Sequence, residues 1–375
     1  MMMEEWNIIN RIILYGYGTV GRGCIRKILK DFDVDYIIDN NELKQGNLIG
    51  SVPIVSIEEG IEKRVDQKII VMTGGRTYQE ISEVLKKYNL NEYEDFCSIE
   101  ELITDWYWLN KKENNIMELH MALTMKCTLA CENCNMFIPY YKNPPYYDVE
   151  QIIEELELLF SKVDNVFCLT FLGGEPLLYK ELPQLFSVIR DKYLDHIGSV
   201  KIVTNGTVLP DRDFLKQIKE MPVWFSISDY TNQVSYCEKL ENIKQLLDEM
   251  GVDYVVNSAK KWCSFGFPKN PLNIDKQYCE AHMKACSPIF HGYNDGKIYY
   301  CHVSWSAEKL GRIVLKSSDY IDLKALKNEE SHVISEHCFG RLRGSSYISF
   351  CEYCGGCGDD NKNVVLAGQQ VKSIT

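Results

Sequence analysis

The amino-acid sequence predicts an α/β protein of three parts: a small doubly wound domain, a partial (β/α)6 barrel and a small cysteine-rich C-terminal extension. A glycine-rich turn joins an apolar strand to a helix near the start of the chain. Apolar strands then alternate with helical patterns through the middle, and cysteines crowd the C-terminal quarter. Alternation of strand and helix is typical of parallel sheets covered by helices, which predicts the first two parts.

The composition is that of a folded protein with no sign of a nucleic-acid or membrane partner. The chain has 375 residues, enough for two or three domains, of which 45% are hydrophobic and 25% charged. No apolar run is long enough to cross a bilayer, and MMMEEWNIINR lacks the basic and apolar regions of a signal peptide. The net charge is −12 with Lys and Arg scattered, whereas a nucleic-acid groove needs a basic stripe. We therefore expect a cytoplasmic protein that binds neither nucleic acid nor membrane.

Residues 1–105 are predicted to form the doubly wound domain. RIILYGYGTVG places G-x-G-x-x-G on Gly16, Gly18 and Gly21 between a strand and a helix, and a second strand ends at Asp39. Such glycines let a phosphate approach the helix N-terminus, but they also pack a helix on a strand. In GYGTVG, IIDNN and VPIVSIEEG the segment resembles the small Rossmann-like domains attached to bacterial sugar-modifying enzymes. A nucleotide or nucleotide-sugar bound at these four residues is one prediction, and helix packing alone is the other.

Residues 106–115, WYWLNKKENN, are predicted as a polar connection, and residues 116–278 as the barrel. Three or four short parallel strands are expected before this connection, and five lie after it. The five strand patterns are Met117–Thr124, Val166–Leu172, Val200–Thr204, Val223–Ile227 and Val252–Val256. The helical patterns between them are Val149–Phe160, Glu181–Tyr193, Asp211–Lys219 and Ser235–Met250. This repetition predicts a parallel sheet curled into a full or partial TIM-like barrel, whose active site lies at the carboxyl ends of the strands.

Unusual sequences stand at those carboxyl ends. CTLACENC follows the first strand, LGGEP the second and TNGT the third. SISD ends the fourth strand, and KKWCSFG lies beyond the fifth. Because the carboxyl ends of parallel strands meet at one rim, their convergence predicts an active site there.

Fifteen cysteines are many for a chain of this length. Disulfides are rare in a reducing compartment, so grouped cysteines there indicate metal or redox chemistry. Four others stand singly in apolar or helical contexts and are predicted to be small buried hydrophobic residues: Cys24, Cys97, Cys168 and Cys237.

CTLACENC offers three cysteines, Cys127, Cys131 and Cys134, where a structural zinc site uses four protein ligands. The nearest candidate for a fourth ligand is His120, on the preceding strand. A [4Fe–4S] cube can instead use three thiolates and leave one iron open for a small molecule. C-x3-C-x2-C after the first strand of a barrel resembles the radical S-adenosylmethionine (SAM) superfamily. The resemblance implies that SAM binds the open iron, and that an electron cleaves it to a 5′-deoxyadenosyl radical that takes hydrogen from a substrate.

LGGEP strengthens the resemblance. Gly173, Gly174 and Glu175 match the family motif that receives the ammonium group of SAM. A second group is assigned by resemblance to the ribose or carboxylate of SAM: Asn205, Ser226 and Ser228. The family usually has an aromatic residue before the third cysteine, where this chain has Asn133, so one contact to adenine stays open. The resemblance also implies an electron donor such as flavodoxin or ferredoxin.

Residues 279–375 contain the second cysteine group. CSPIFHGYNDGKIYYC and CEYCGGCG resemble the SPASM and twitch domains that hold auxiliary iron–sulfur clusters in many radical SAM enzymes. The resemblance implies one auxiliary [4Fe–4S] cluster with four ligands: Cys286, Cys301, Cys351 and Cys354. Cys357 can replace one of them, and Cys279 is a further candidate. A structural zinc site on the same four residues is the alternative, because C-x2-C pairs suit zinc.

The substrate and the outcome of the reaction are separate predictions. An auxiliary cluster can accept an electron from the substrate, or conduct electrons while a thiol returns hydrogen and inverts a stereocentre. Cys263 in KKWCSFG is the candidate for this catalytic thiol, and an ordinary loop cysteine is the alternative. MFIPYYKNPPYYD and SISDY resemble uncharacterised radical SAM proteins linked to bacterial surface glycans, which implies a sugar or nucleotide-sugar substrate. A SPASM-type peptide maturase and a non-catalytic metal-binding module are the alternatives.

Overall fold

Two sheets and a separate pair of short strands organise the protein. The computed structural model describes residues 10–286 and 291–371. The N-terminal stretch inspected for a signal peptide, and part of the segment between Cys286 and Cys301, lie outside these ranges. A six-stranded sheet occupies the N-terminal part, and an eight-stranded sheet spans the rest. Across the described ranges, no helix combines the length and apolar character needed to cross a membrane.

The N-terminal sheet winds outward from its first strand in both directions. Its elements are β1 (Arg11–Tyr15), α1 (Thr19–Asp31), β2 (Asp33–Ile38), β3 (Leu48–Ile49), β4 (Val52–Val55), α2 (Ile57–Lys63), β5 (Lys68–Val71), α3 (Gly75–Lys87) and β6 (Phe96–Ser98). The order β4-β2-β1-β5-β6 is parallel throughout, and β3 adds an antiparallel edge beside β4. The strands are short apolar runs because helices cover them. This part therefore has five parallel strands, where the sequence predicts three or four.

A helical segment joins the two sheets. α4 (Ile99–Glu101) runs through a π-helical turn (Leu102–Trp106) into α5 (Tyr107–Lys111). The first half of the predicted polar connection is thus helical. It is held in place because Tyr107 is buried and packs edge-on against Phe167, with 5.6 Å between the ring centroids.

The barrel sheet contains the five parallel strands that the sequence predicts. Its elements are β7 (Asn115–Thr124), α6 (Val149–Phe160), β8 (Asn165–Gly173), α7 (Leu182–Val188), β9 (Ile197–Thr204), α8 (Arg212–Ile218), β10 (Val223–Ser228), α9 (Cys237–Met250) and β11 (Asp253–Asn257). The strands pair in sequence order from β7 to β11.

The predicted burial of the single cysteines is confirmed for Cys24, Cys97 and Cys168. The prediction is wrong for Cys237, which is exposed at the first position of α9.

The C-terminal extension joins the barrel sheet instead of forming a sheet of its own. The elements that follow β11 are β12 (Lys261–Cys263), α10 (Lys276–Cys286), β13 (Gly292–Asn294), β14 (Lys297–Tyr299), α11 (His302–Lys309), β15 (Tyr320–Asp322), α12 (Val333–Cys338) and β16 (Val364–Leu366), of which β12 and the start of α10 precede the predicted extension. β13 pairs with β7, and β14 and β15 extend the sheet beyond it. The β13–β14 turn uses positive φ at Asp295 and Gly296, 58° and 74°, as tight hairpins require. Tyr293, Trp305 and Phe350 enter the same apolar core as the barrel strands.

The sheet differs from a (β/α)6 barrel at its far edge. A sixth barrel strand would lie beside β11, but β11 ends the sheet. The next strand, β12, instead pairs antiparallel with β16, which lies near the C-terminus. This pair runs past the carboxyl ends of the barrel strands, because Trp262 and Cys263 border the cavity there.

The N-terminal domain covers the amino ends of the barrel strands. Helix α1 comes so close to β8 that a Cβ atom at Gly23 would lie 3.1 Å from the Cβ of Cys168. The hydroxyl of Ser199 donates a hydrogen bond to the carbonyl of Gly23 at 2.8 Å. Arg22 adds an ion pair to Asp253, 3.4 Å away at the start of β11. The unusual rim sequences therefore lie on the opposite side of the sheet from the N-terminal domain.

Candidate functional site

The rim sequences surround one cavity of about 540 Å³ at the carboxyl ends of the barrel strands. It is bordered by all three cysteines of CTLACENC and by the predicted SAM-binding residues except Glu175, together with two further cysteines: Cys127, Cys131, Cys134, Gly173, Gly174, Asn205, Ser226, Ser228, Cys263 and Cys357. These residues come from β7 to β10, from β12 and from the C-terminal extension. Residues far apart in the chain thus face one space.

The cysteine loop holds its sulfurs among hydrogen-bond donors. The backbone N–H of Leu129 donates to the sulfur of Cys127 at 3.4 Å, and the Asn205 amide lies 3.5 Å from the same sulfur. The amide of Gln370 donates to the sulfur of Cys131 at 3.3 Å. Burial raises the pKa of Cys127, Cys131 and Cys134 to about 11. Three such thiols give up their protons when a cation neutralises the buried thiolates, which is the behaviour of metal ligands.

The glycine pair after β8 lies directly against the start of the cysteine loop. A Cβ atom at Gly173, where φ is +139°, would lie 2.1 Å from the carbonyl oxygen of Thr124. A Cβ atom at Gly174 would lie 2.1 Å from the carbonyl oxygen of Lys126. The backbone N–H of Gly174 donates to Thr124 at 2.7 Å. Only glycines let the β8 turn come this close to the loop that precedes Cys127.

Glu175 is fully buried and ties β8 to β9. Its carboxylate accepts hydrogen bonds from the hydroxyl of Thr204 and the backbone N–H of Asn205, each at 2.8 Å, and from the N–H of Leu177 at 3.1 Å. Burial raises its pKa to about 7, although these donors oppose the rise. The structure thus places the Glu175 carboxylate behind the cavity wall, where it fixes the backbone of Asn205.

Three polar side chains of the β9 and β10 ends border the cavity, namely Asn205, Ser226 and Ser228. The Asn205 amide donates to Thr128 at 3.1 Å, and its oxygen accepts from the backbone N–H of Thr207 at 3.0 Å. The hydroxyl of Ser226 accepts from the side chain of Asn257 at 3.0 Å. Hydroxyl and amide groups of this kind suit the hydroxyls and carboxylate of a nucleoside-like ligand.

The floor of the cavity is a buried polar cluster that the sequence analysis did not single out. Glu118 accepts hydrogen bonds on one oxygen from His120 at 2.6 Å, from Thr170 at 3.1 Å and from Lys201. Burial acts to lower the pKa of Lys201, but the charge and hydrogen bond of Glu118, together with Cys168 and Cys24, outweigh burial and raise the pKa. Lys201 and His120 hold the pKa of Glu118 well below its ordinary value against the effect of burial. His120 and Lys201 border the cavity, so its floor presents a paired cation and an imidazole.

A buried histidine adds to this floor. His302 borders the cavity, stacks on Trp305 with 4.7 Å between ring centroids, and approaches Asn294 through Nε2 at 3.3 Å. Its Nδ1 has no hydrogen-bond partner among the described residues. Burial lowers its pKa well below the ordinary value. His302 is therefore neutral, and its Nδ1 is enclosed by the protein.

The C-terminal cysteines gather beside the same cavity. The sulfurs of Cys286 and Cys357 are 3.6 Å apart, and the Cys357 hydrogen bond lowers the pKa of Cys286 to about 7. The negative charge of Cys286 contributes to raising the pKa of Cys301, Cys351 and Cys354, although burial is the main cause. Among the described residues, no three His, Cys, Asp or Glu side chains lie close enough to hold a single metal ion. This holds for the C-terminal cysteines and for the three cysteines of CTLACENC alike.

The two remaining candidates, Cys263 and Cys279, differ in their access to the cavity. Cys263 lies on β12, borders the cavity and adds to the raised pKa of Cys357. Cys279 is fully buried in α10, and its thiol donates to the carbonyls of Ile274 at 3.8 Å and Asp275 at 3.6 Å. Cys279 is thus engaged by its own helix, whereas Cys263 faces the cavity.

The glycine turn of the N-terminal sheet is held by its own residues. Asp39 is buried and accepts hydrogen bonds from the backbone N–H of Tyr17 at 2.8 Å and from Lys44 at 3.1 Å. A Cβ atom at Gly21 would lie 2.7 Å from the carbonyl oxygen of Gly16. In the part of the chain that the structure describes, no atom would lie within 4 Å of a Cβ atom at Gly18. Gly21 therefore serves the packing of α1 on β1, and Asp39 links the turn to Lys44.

Comparison with known proteins finds similarity in the barrel segment. Residues 121–271 match the Radical SAM superfamily. The chain is 30% identical over 115 residues to a 7,8-dihydro-6-hydroxymethylpterin dimethyltransferase of Methanocaldococcus jannaschii, covering 30% of this chain and 21% of that protein. It is 31% identical over 101 residues to a GTP 3′,8-cyclase of Syntrophomonas wolfei subsp. wolfei, covering 27% and 30%. It is 28% identical over 138 residues to an S-adenosylmethionine-dependent nucleotide dehydratase of Lacinutrix mariniflava, covering 35% and 27%.

The matched part of each relative is short. This chain spans between 21% and 30% of the length of these three curated proteins. Among solved structures, BtrN in complex with AdoMet and 2-DOIA gives a TM-score of 0.41 at 16% identity, covering 64% of this chain and 92% of that chain. Native anSMEcpe with bound AdoMet gives 0.39 at 12% identity, covering 57% and 80%.

Proposed function

Because residues 121–271 match the radical SAM superfamily, we propose that this chain is an enzyme that binds a [4Fe–4S] cluster and SAM and removes hydrogen from a small substrate. One observation carries the proposal. The three cysteines of CTLACENC, the Gly173–Gly174 turn and three polar side chains at the β9 and β10 ends border one cavity. Metal ligands and groups suited to a nucleoside-like molecule are thus joined in a single space.

The residues present fit the cluster and SAM. Cys127, Cys131 and Cys134 would hold three irons, and the glycine turn would admit the methionine end of SAM to the fourth. Once bound, the cluster and SAM supply one-electron cleavage of the sulfonium and hydrogen removal from the substrate, with methionine and 5′-deoxyadenosine as products.

The chain itself orients the ligand and keeps water out. Glu175 fixes the backbone of Asn205 through a 2.8 Å hydrogen bond, so the Asn205 amide stays directed at the cysteine loop. Trp262, Phe265 and Tyr230 form an aromatic wall of the cavity. An apolar wall excludes solvent that would otherwise quench a reactive species.

An auxiliary [4Fe–4S] cluster on the C-terminal cysteines is part of the proposal. Cys286, Cys301, Cys351 and Cys354 supply four thiols, and the charge of Cys286 contributes to the raised pKa of each of the other three. Cys357 borders the cavity and lies nearest Cys286, so it is the fifth thiol of the group. Such a cluster would exchange electrons with the substrate and make the net reaction an oxidation.

If the reaction is an epimerisation, Cys263 is the residue that returns hydrogen to the substrate. In an epimerisation its thiol would give a hydrogen atom to the substrate carbon, leaving its sulfur one electron and one proton short. The external electron donor, a flavodoxin or ferredoxin, and solvent would restore them. Its place on the cavity border supports this role.

A sugar or nucleotide-sugar is the substrate class that the cavity supports. Its floor offers Lys201, His120 and His302, which can donate to and accept from hydroxyl groups. Its aromatic wall suits the faces of sugar rings. Two relatives are named for nucleotide chemistry, a GTP 3′,8-cyclase and a nucleotide dehydratase, which agrees with a nucleotide-linked substrate. A nucleotide at the glycine turn of the N-terminal sheet stays a separate prediction, on which this proposal does not depend.

An assay of SAM cleavage across substrate classes tests the proposal. The protein is reconstituted with iron and sulfide without oxygen, reduced, and supplied with SAM and either nucleotide-sugars or cysteine-rich peptides. We expect 5′-deoxyadenosine formation to be stimulated by a nucleotide-sugar. Stimulation by peptides alone would support a maturase instead, and a zinc protein that forms no 5′-deoxyadenosine would refute the enzyme altogether.

A further inference from the structure

The last described residues form a C-terminal strap, residues 364–371, that runs from β12 to the loop that contains the three cysteines. Its first part, β16, pairs antiparallel with β12, so that Val364 lies opposite Cys263. The backbone N–H of Ala367 then donates to the carbonyl of Lys260 at 3.1 Å. The strap is thus fixed to the strand that contains the candidate catalytic cysteine.

The strap then turns onto the aromatic wall. Gly368 has φ of +77°, and a Cβ atom there would lie 2.6 Å from the Cβ of Tyr230. Both features admit only glycine without strain. Tyr230 borders the cavity and packs edge-on against Trp262, with 5.2 Å between ring centroids. The turn at Gly368 therefore directs the next residues across the cavity wall to the cysteine loop.

Beyond this turn the strap pairs with the loop that contains the three cysteines. The N–H of Glu132 donates to the carbonyl of Gln369 at 2.7 Å, and the N–H of Val371 donates to the carbonyl of Ala130 at 2.8 Å. These bonds flank an antiparallel bridge between Cys131 and Gln370. The cysteine loop is therefore held from outside by residues at the opposite end of the chain.

The side chain of Gln370 has a single consistent orientation. Its oxygen accepts a hydrogen bond from the N–H of Ala130 at 2.7 Å. Its nitrogen donates to the carbonyl of Gly368 at 2.7 Å and to the sulfur of Cys131 at 3.3 Å. A flipped amide would place its NH2 group against the N–H of Ala130, which also donates, so the geometry fixes the donor on the sulfur.

The three sulfurs differ in where their donors originate. Cys127 receives an N–H from Leu129, two residues away, and Cys134 receives backbone hydrogen bonds from the turn at Met136 to Ile138. The donor to Cys131 comes from Gln370, 239 residues further along the chain. A hydrogen-bond donor on a ligating sulfur stabilises the negative charge that an iron–sulfur cluster gains on reduction.

We propose that Gln370 is a positioning residue that donates an N–H to the sulfur of Cys131 in the cluster-loaded protein and thereby raises the reduction potential of that cluster. This inference rests on the proposed function, since it requires a cluster on the three cysteines. It adds a control of the cluster by the C-terminal strap. The cluster that must give an electron to SAM would thus depend on whether the strap is in place.

The test is a redox titration of the reconstituted protein. Gln370→Met keeps the length of the side chain and removes the donor, so we expect its cluster to show a more negative midpoint potential by EPR-monitored titration. Gln369→Met is the matched control, because the Gln369 side chain contacts Glu132 at 3.3 Å and no cysteine, and its carbonyl is retained. We expect the control to titrate like the parent protein. Equal potentials for parent and Gln370→Met, at equal iron content, would overturn the proposal.

A second variant serves if Gln370→Met does not hold iron. Gln370→Leu removes the N–H donor to the sulfur with a neutral side chain, and so adds no charge that would itself shift the potential. It should again titrate at a more negative potential than the parent, and an unchanged potential would overturn the inference. The titration also distinguishes a failure of the proposed function from a failure of the role of Gln370. A parent protein without any cluster refutes the proposed function, whereas a parent that binds a cluster and cleaves SAM, with an insensitive Gln370, refutes only the role of the strap.

Discussion

Replacing Glu175 by glutamine tests whether this carboxyl group is as deeply enclosed as the structure shows. Burial raises its pKa from the ordinary value of 4.5 to about 7. A carboxyl group whose pKa is raised on folding favours the folded state most at low pH, and loses this advantage as pH rises through the folded-state pKa. The parent protein should therefore lose stability between pH 5 and pH 8 through this group, and Glu175→Gln should not.

The magnitude follows from the size of the shift. The pKa of Glu175 is higher by about 2.5 in the folded than in the unfolded chain, and each pH unit of such a difference corresponds to about 1.4 kcal/mol. The free energy of unfolding therefore falls by about 3 kcal/mol in total through this group, most of it between pH 5 and pH 8. The glutamine NH2 group also meets the N–H of Asn205 or the hydroxyl of Thr204, which costs about 1 to 3 kcal/mol. That cost does not vary with pH, because neither donor titrates in this range.

Urea unfolding of the metal-free protein, followed by tryptophan fluorescence from pH 5 to pH 8, measures the difference. We expect the free energy of unfolding of Glu175→Gln, relative to the parent, to rise by roughly 2 to 3 kcal/mol across this range. Titration of other groups cancels in the comparison because both proteins contain them. A constant difference between the two proteins would show that the carboxyl group is solvated and would refute the enclosed geometry.

Three further substitutions test the metal sites and the cavity floor. Cys127→Ser should lose about four irons per chain and all SAM cleavage, whereas Cys237→Ser, at the exposed start of α9, should keep both in iron and 5′-deoxyadenosine assays. Cys354→Ser should lose about four irons but retain SAM cleavage, and unchanged iron with lost zinc would contradict the auxiliary cluster. Lys201→Met leaves the buried Glu118 charge unpaired and should lower the free energy of unfolding by about 3 to 5 kcal/mol. Adding Glu118→Gln should recover part of that loss in a denaturation series, and no recovery would contradict the pairing.

The barrel strands could be predicted from the sequence because strands covered on both faces are continuous apolar runs. The predicted strand Met117–Thr124 corresponds to β7, Asn115–Thr124, and the predicted strand Val223–Ile227 corresponds to β10, Val223–Ser228. The rim residues followed from the same periodicity, since every motif after a parallel strand reaches the same edge. The cysteine loop and the glycine pair therefore meet at one cavity as expected.

Other parts of the site depend on contacts that local patterns do not contain. Gln370 reaches Cys131 across 239 residues, and β12 leaves the barrel sheet to pair with β16. The Glu118–Lys201 pair did leave a signal, because a charged residue inside each of two buried strands needs a partner. The motif position Asp39 was visible in the sequence, but its hydrogen bonds from Tyr17 and Lys44 are seen only in the structure.

Anaerobic reconstitution of the parent protein, with iron and zinc counted and 5′-deoxyadenosine measured after reduction with SAM, tests the central claim most directly. The proposed cluster on the cysteine loop and the auxiliary cluster together predict about eight irons per chain, a brown protein, and methionine and 5′-deoxyadenosine in equal amounts. A colourless protein with zinc on its cysteines and no 5′-deoxyadenosine would contradict it.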